Sequence, residues 1–197
     1  MKYVIAACLY MVLSHHVNAD IRLPRIIRDS MVLQRNTAIR VWGWASKAEK
    51  ISVKLNGKTH LAITGDDGKW LMQLPPMQAG GPYTMEITGG NKIVLHDILI
   101  GDVWICAGQS NMEHQMKLHL VNYAAELSAA NFPWIRQFKI PNITNLLTPE
   151  QDLFAGSWKS SNQNDIGDFS AVAFFYAKAL FEKYHVPIGI INASWGG

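Results

Sequence analysis

A chain of 197 residues that is 49% hydrophobic and 17% charged has globular composition, with apolar material for a real core and room for one medium domain or two small ones. Its formal net charge of +3 is too weak and too dispersed to mark a nucleic-acid binder, and the tightest basic group, Arg22, Arg25 and Arg28, reads as ordinary surface.

Residues 1–19 read as an export signal. Lys2 gives a positive start, Val4 to Leu13 is a short apolar run, and Val17-Asn18-Ala19 ends on a small residue. The run is too short to span a bilayer, so no membrane anchor is expected, and a periplasmic or secreted location is. Cys8 has too few residues before it for a lipoprotein signal. Cleavage after Ala19 would leave Cys106 as the single cysteine, unable to form an internal disulfide and placed in an apolar run where a buried thiol is expected.

From Ile21 to Leu99 the pattern is that of strands. Ile51, Val53 and Leu55 alternate with polar residues, Asn56-Gly57 marks a hairpin turn, and Leu61 and Ile63 continue on its far side. Gly65-Asp66-Asp67-Gly68 is a second turn, followed by the alternating sets Trp70, Met72, Leu74 and Tyr83, Met85, Ile87. A turn at Gly89-Gly90-Asn91 leads to a strand from Ile93 to Leu99. Short strands at this spacing predict a small β-sandwich over residues 20–100.

The pattern changes at Gly101. Val103 to Ala107 is a continuous apolar run, which predicts a strand buried on both faces, and a helix is expected from Asn111. Val121 to Ala130 is compatible with a helix, Trp134 to Ile140 reads as a strand, and residues 141–168 read mostly as loop. Ser170 to Tyr184 is the clearest helix, with Val172, Phe175, Tyr176, Ala179 and Leu180 as its apolar face and Asp168 or Ser170 as its cap. Ile188 to Ile191 is a second buried strand. Strand, helix, strand, helix, strand over 101–197 is the start of a parallel α/β sheet. The fold class is therefore α/β, with a β-rich leader ahead of a truncated parallel-sheet domain.

Ligands bind beyond the carboxyl ends of parallel strands, and Ser110 lies there, just after Val103–Ala107 and Gly108-Gln109. A serine hydroxyl is a poor nucleophile without a base to take its proton and donors to meet the oxyanion. Gly108 permits a sharp turn, and a helix beginning at Asn111 would aim free N–H groups toward the hydroxyl. On spacing alone, a helix cap is the simpler account of Ser110.

The block Gly101-Asp102-Val103-Trp104-Ile105-Cys106-Ala107-Gly108-Gln109-Ser110-Asn111-Met112-Glu113 resembles the first block of the SGNH hydrolases, and more narrowly that of the sialate O-acetylesterase family, which reads G-Q-S-N-M. Met31-Val32-Leu33-Gln34-Arg35, Val41-Trp42-Gly43-Trp44-Ala45, Asp67-Gly68-Lys69-Trp70 and Gly80-Gly81-Pro82-Tyr83 resemble that family's β-rich leader. Phe169 to Ala173 and Val186 to Gly189 resemble later segments, in the same order. The resemblance implies a flavodoxin-like sheet, Ser110 as nucleophile with its own N–H as one oxyanion donor, and a glycine of the Asn192-Ala193-Ser194-Trp195-Gly196-Gly197 block as a second. Gly196 is the preferred donor and Gly197 the alternative. Gln109 and Asn111 are candidate substrate-binding residues.

No aspartate in this sequence has a histidine three residues on, so the Asp-x-x-His pair that the resemblance implies is missing, as is the third oxyanion donor. Of the seven histidines, His15 and His16 leave with the signal, and His60 and His96 belong to the leader. His185 is expected as a charge partner at a helix end, and His114 is expected to face solvent above Ser110. None is a convincing base. No cysteine or histidine pair has metal-ligand spacing, and there is neither a G-x-G-x-x-G nor a phosphate loop, so no cofactor is expected. Each tryptophan, taken singly, is expected in the core. The function implied is removal of an O-acetyl group from sialic acid or another acetylated glycan, with this chain alone expected to be nearly inactive. The alternative is a non-catalytic fragment that acts at most as a β-rich carbohydrate-binding module.

Overall fold

The structure, a computed structural model, describes residues 20–196; the export-signal reading and Gly197 fall outside them. In chain order the strands and helices are β1 (Val32–Gln34), β2 (Ile39–Trp44), β3 (Lys50–Leu55), β4 (Lys58–Ile63), β5 (Lys69–Leu74), β6 (Gly80–Thr88), β7 (Lys92–Gly108), α1 (Ser110–Glu113), α2 (Ala124–Ser128), β8 (Asn131–Lys139), β9 (Trp158–Asn162), α3 (Ala171–Tyr184) and β10 (Ile188–Ser194). The expected loop over 141–168 therefore contains one strand, β9.

An eight-stranded sheet runs β4-β3-β6-β7-β10-β8-β9, with β1 also paired to β7, and β2 and β5 form a separate two-stranded sheet. The centre of this arrangement is β7, a single strand of 17 residues. Its first half pairs antiparallel with β6, and from Asp102 onward it pairs parallel with β10. The boundary read at 100/101 thus lies inside a strand, at the residue where the sheet changes from antiparallel to parallel. On the other side of β10 lies β8, also parallel.

In the antiparallel half the period-two residues are buried as their spacing dictates. Ile51, Val53, Leu55, Trp70, Met72, Leu74, Met85 and Ile87 all sit in one apolar cluster shared by the two sheets. Burying each such side chain contributes roughly 1.5–3 kcal/mol. Leu61 and Ile63 differ from expectation, being 77% and 67% exposed. The cause is register. The Asn56-Gly57 turn pairs Leu55 with Lys58, which sets His60 opposite Val53 and Ala62 opposite Ile51. Cross-strand partners share a face, so His60 and Ala62 turn inward and Leu61 and Ile63 turn out.

Further expectations are corrected by the structure. Val103–Ala107 is not buried on both faces: Cys106 is buried, but Trp104 is 41% and Ile105 72% exposed. Helix α3 packs mainly on β10 and β8 and meets this end of β7 through Tyr176, whose ring stands edge-on to Trp104 at 5.2 Å. The buried face of α3 is Ala171, Ala173, Phe174 and Ala177, whereas Val172 and Tyr176 are exposed. Ser170 is the cap, its hydroxyl accepting the Ala173 N–H at 3.2 Å. His185 ends the helix through its backbone, in a left-handed conformation with its N–H on the Phe181 carbonyl. Among the tryptophans, Trp70 and Trp158 are core residues, while Trp42, Trp104 and Trp195 are exposed.

The two halves are joined by Arg136 of β8, whose side chain is 4% exposed. Its guanidinium donates to the carbonyls of Ser30, Asp97 and Pro133 and meets the Asp97 carboxylate at 2.8 Å. The Arg35–Asp102 pair, with two bonds of 2.8 and 2.9 Å, fastens β1 to β7 at the same junction. No helix among the described residues is long and apolar enough to cross a membrane.

Candidate active site

The neighbouring parallel strands β7 and β10 end side by side, with Gly108 in register with Ser194 and the Trp195 N–H donating to the Gly108 carbonyl at 2.9 Å. At Gly108 the backbone takes φ +151, and the chain turns into α1. That helix is a single turn beginning at Ser110, one residue earlier than expected. The Met112 and Glu113 N–H groups both donate to the Gln109 carbonyl, and the His114 N–H donates to the Ser110 carbonyl. The His114 carbonyl then accepts the Ala171 N–H at 2.8 Å, which ties the turn to the start of α3.

Ser110 is exposed at this bend, and its hydroxyl has no hydrogen-bond partner among the described residues. Its side chain does not cap α1. Gly196 lies against it: a Cβ on Gly196 would stand 3.3 Å from the Ser110 Cα and 3.5 Å from its N. Ser110, Glu113, His114, Gln115, Leu118 and Gly196 line an open cleft of about 390 Å³. Gln109 and Asn111 are exposed on either side of Ser110 but do not line that cleft.

The fold thus brings together two of the residues singled out from sequence, Ser110 and Gly196. The Gly196 N–H does not point into open space, however; it donates to Glu113 Oε2. Glu113 Oε1 accepts from Asn142 Nδ2 at 2.7 Å and lies 3.5 Å from Lys139 Nζ. The Gly196 N–H first, then Asn142 and Lys139, hold the Glu113 carboxyl below the usual carboxylate range. Lys139 also donates to the Ser194 carbonyl and, at 3.2 Å, to its hydroxyl. The Ser194 hydroxyl donates to Asn192 Oδ1, Asn192 Nδ2 reaches Gln137 Oε1 at 3.4 Å, and that oxygen accepts the Ser170 N–H at 3.1 Å.

Sequence reasoning missed Glu113, Lys139 and Asn142 as members of this site. Glu113 stands three residues after Ser110, a spacing that puts both on one helix face, and that was the one local signal available. Lys139 and Asn142 come from the end of β8 and the loop after it, and only the packing of β8 beside β10 carries them here. His114 lines the cleft rather than facing free solvent; its Nε2 is enclosed without a hydrogen-bond partner, and its ring lies 4.6 Å from that of His119. Burial pushes the Cys106 thiol up, which makes it a poor nucleophile. Among the described residues, no group of three or more histidine, cysteine or acidic side chains is placed to hold a metal ion.

No family model matches the chain. Sialate O-acetylesterases of Rattus norvegicus and Homo sapiens are each 30% identical to it over 89% of its length, and that of Mus musculus is 28% identical over 93%. The chain spans 36–37% of the length of these curated relatives. Among solved structures, a carbohydrate acetylesterase from Xanthomonas citri superposes with a TM-score of 0.86 and 38% identity, over 90% of this chain and 41% of that one. Sequence and fold agree, and the chain is a homologue of the sialate O-acetylesterases over 89% of its own length.

Proposed function

We propose that this chain is the nucleophile-bearing part of a serine esterase that removes O-acetyl groups from sialic acids or related acetylated sugars. Two units make it up: a β-rich leader over residues 20–100 and a portion of an SGNH-type hydrolase domain over 101–197. An exported location, periplasmic or secreted, rests on the composition of residues 1–19.

Ser110 attacks the acetyl carbonyl, and the oxyanion is met by the Ser110 N–H and by the Gly197 N–H, because the Gly196 N–H is already given to Glu113. Collapse of the tetrahedral intermediate releases the sugar hydroxyl, and water then frees acetate from the acyl-enzyme. A histidine supplied from outside this sequence takes the proton from Ser110 and returns it to the leaving oxygen. One observation carries the reading: an exposed, unpartnered serine hydroxyl at the end of a parallel strand, with the Gly196 backbone packed against it. The names of the relatives supply the acetyl group and the sugar.

The test compares turnover of a chromogenic acetyl ester by the complete polypeptide, including whatever follows Gly197, with that of its Ser110→Ala variant. The substitution lowers kcat/KM roughly a thousandfold or more while the far-ultraviolet circular dichroism is kept. The 197-residue chain alone gives only residual turnover. Turnover by that chain at ordinary enzyme rates, abolished by Ser110→Ala, overturns its proposed inactivity, and turnover indifferent to Ser110 overturns the esterase reading.

A further inference from the structure

We propose that Glu113 is a positioning residue of this site: its carboxylate clamps the glycine turn at Gly196 to the turn that carries Ser110, and Lys139 and Asn142 hold the clamp in place. The inference rests on the esterase reading and adds to it a residue with no assigned role.

Three donors from two separate pieces of chain converge on one carboxylate. They are the Gly196 N–H after β10, the Asn142 amide after β8, and the Lys139 ammonium at the end of β8. Glu113 itself belongs to the same single turn as Ser110. That turn is too short to be rigid alone, because its four residues enclose little more than one hydrogen-bonded turn. The segment after β10 is equally poor in internal bonds: Trp195 is held by Gly108, and Gly196 by Glu113. Without the carboxylate, the Gly196 backbone would lose its tie to the nucleophile's turn.

Close packing adds a reason for the residue at 196 to be glycine. A Cβ there would come 2.7 Å from Glu113 Oε2, so any side chain would push the clamp away from the N–H it accepts. The network behind Glu113 also has a direction. Lys139 bonds the carbonyl and hydroxyl of Ser194, Ser194 bonds Asn192, and Asn192 and the Ser170 N–H share Gln137. Ser170 caps α3, so the clamp is braced against the longest helix among the described residues. Oxyanion donors act only when held in place before the charge forms, and a shift of about 1 Å in such a group costs on the order of a hundredfold in rate.

The experiment uses the complete polypeptide, with kcat and KM on an acetyl ester and backbone hydrogen exchange at residues 194–196 as separate readouts. Glu113→Ala is expected to lower kcat roughly 10- to 100-fold, to leave KM within about twofold, and to speed exchange of the Gly196 amide. Glu113→Gln is expected to restore most of kcat, because its one amide oxygen still accepts the Gly196 N–H while the Asn142 amide flips to meet its NH2. Lys139→Met is expected to fall between the two. Unchanged kcat or unchanged Gly196 exchange in folded Glu113→Ala overturns the clamp and leaves the esterase reading standing. A KM effect without a kcat effect also overturns it. Absence of Ser110-dependent turnover in the unaltered polypeptide overturns the esterase reading and removes the clamp's catalytic purpose with it.

Discussion

In β3 and β5 every second residue enters the core, Ile51, Val53 and Leu55 on one strand and Trp70, Met72 and Leu74 on the other. In β7 the run from Val103 to Ala107 is just as apolar, yet Trp104 and Ile105 are exposed and Cys106 alone is buried. The difference lies in what covers each strand. The antiparallel strands make their own core with a second layer, β2 and β5, contributed by residues only a few positions away. The parallel strand depends on a helix arriving from more than sixty residues later, and α3 centres on β10 and β8, reaching β7 through Tyr176 beside Trp104. Local alternation is thus a sufficient code for the first half, whereas in the second half apolarity states only that a strand could be buried.

Arg136 offers the hardest test of how separate the two halves are. Arg136→Met removes a buried guanidinium that joins β8 to the Ser30 and Asp97 backbones, and is expected to cost about 3 kcal/mol. The urea midpoint should fall accordingly. A single cooperative transition that moves as a whole would show that the halves unfold together, and a split into two transitions would show that β7 joins units of independent stability.

Ser170→Ala sharpens the same comparison from the second half alone. It removes the side chain that caps α3, at a cost of about 1 kcal/mol. Amide exchange should rise in α3 and remain unchanged in β3 and β5.

The smallest effect is expected from pH. The Glu113 carboxyl is held below its ordinary range in the folded chain, so its ionised form favours folding. That contribution is fully present above the unfolded carboxylate value and is lost as pH falls through the lowered folded value. The stability gap between the unaltered chain and Glu113→Gln should therefore be constant near neutrality and close on acidification. Denaturant midpoints measured across acid pH would check this, and a gap that widened as pH fell would contradict the contacts drawn at Glu113.

The hairpin at Asn56-Gly57, the turn at Gly65–Gly68, the strands on either side of them and the helix from Ala171 to Tyr184 were all legible from spacing and turn residues. The facing of Leu61 and Ile63 was not. It depends on which residue of β3 each one opposes, and that register comes from the geometry of the turn rather than from the apolar pattern. The buried face of α3 was also misread, because Val172 and Tyr176 suit an apolar stripe as well as Phe174 and Ala177 do, and only the position of β10 chooses between them.

At the site the division is similar. Gly108 stands out in the sequence because a sharp bend restricts which residues can be used there, while Ser110 and Gly196 stand out through the resemblance of the blocks that hold them. What meets Glu113 could not be read that way. Asn142 is 29 residues from Glu113, Lys139 is 26 and Gly196 is 83, and no periodicity links positions so far apart. The sequence by itself determined strands β3 to β6, helix α3 and the bend at Gly108, since these follow from neighbouring residues, whereas β9 and the free Ser110 hydroxyl were not legible that way. Tertiary structure decided which faces are buried and which donors gather on one carboxylate, since both follow from where separate strands come to lie.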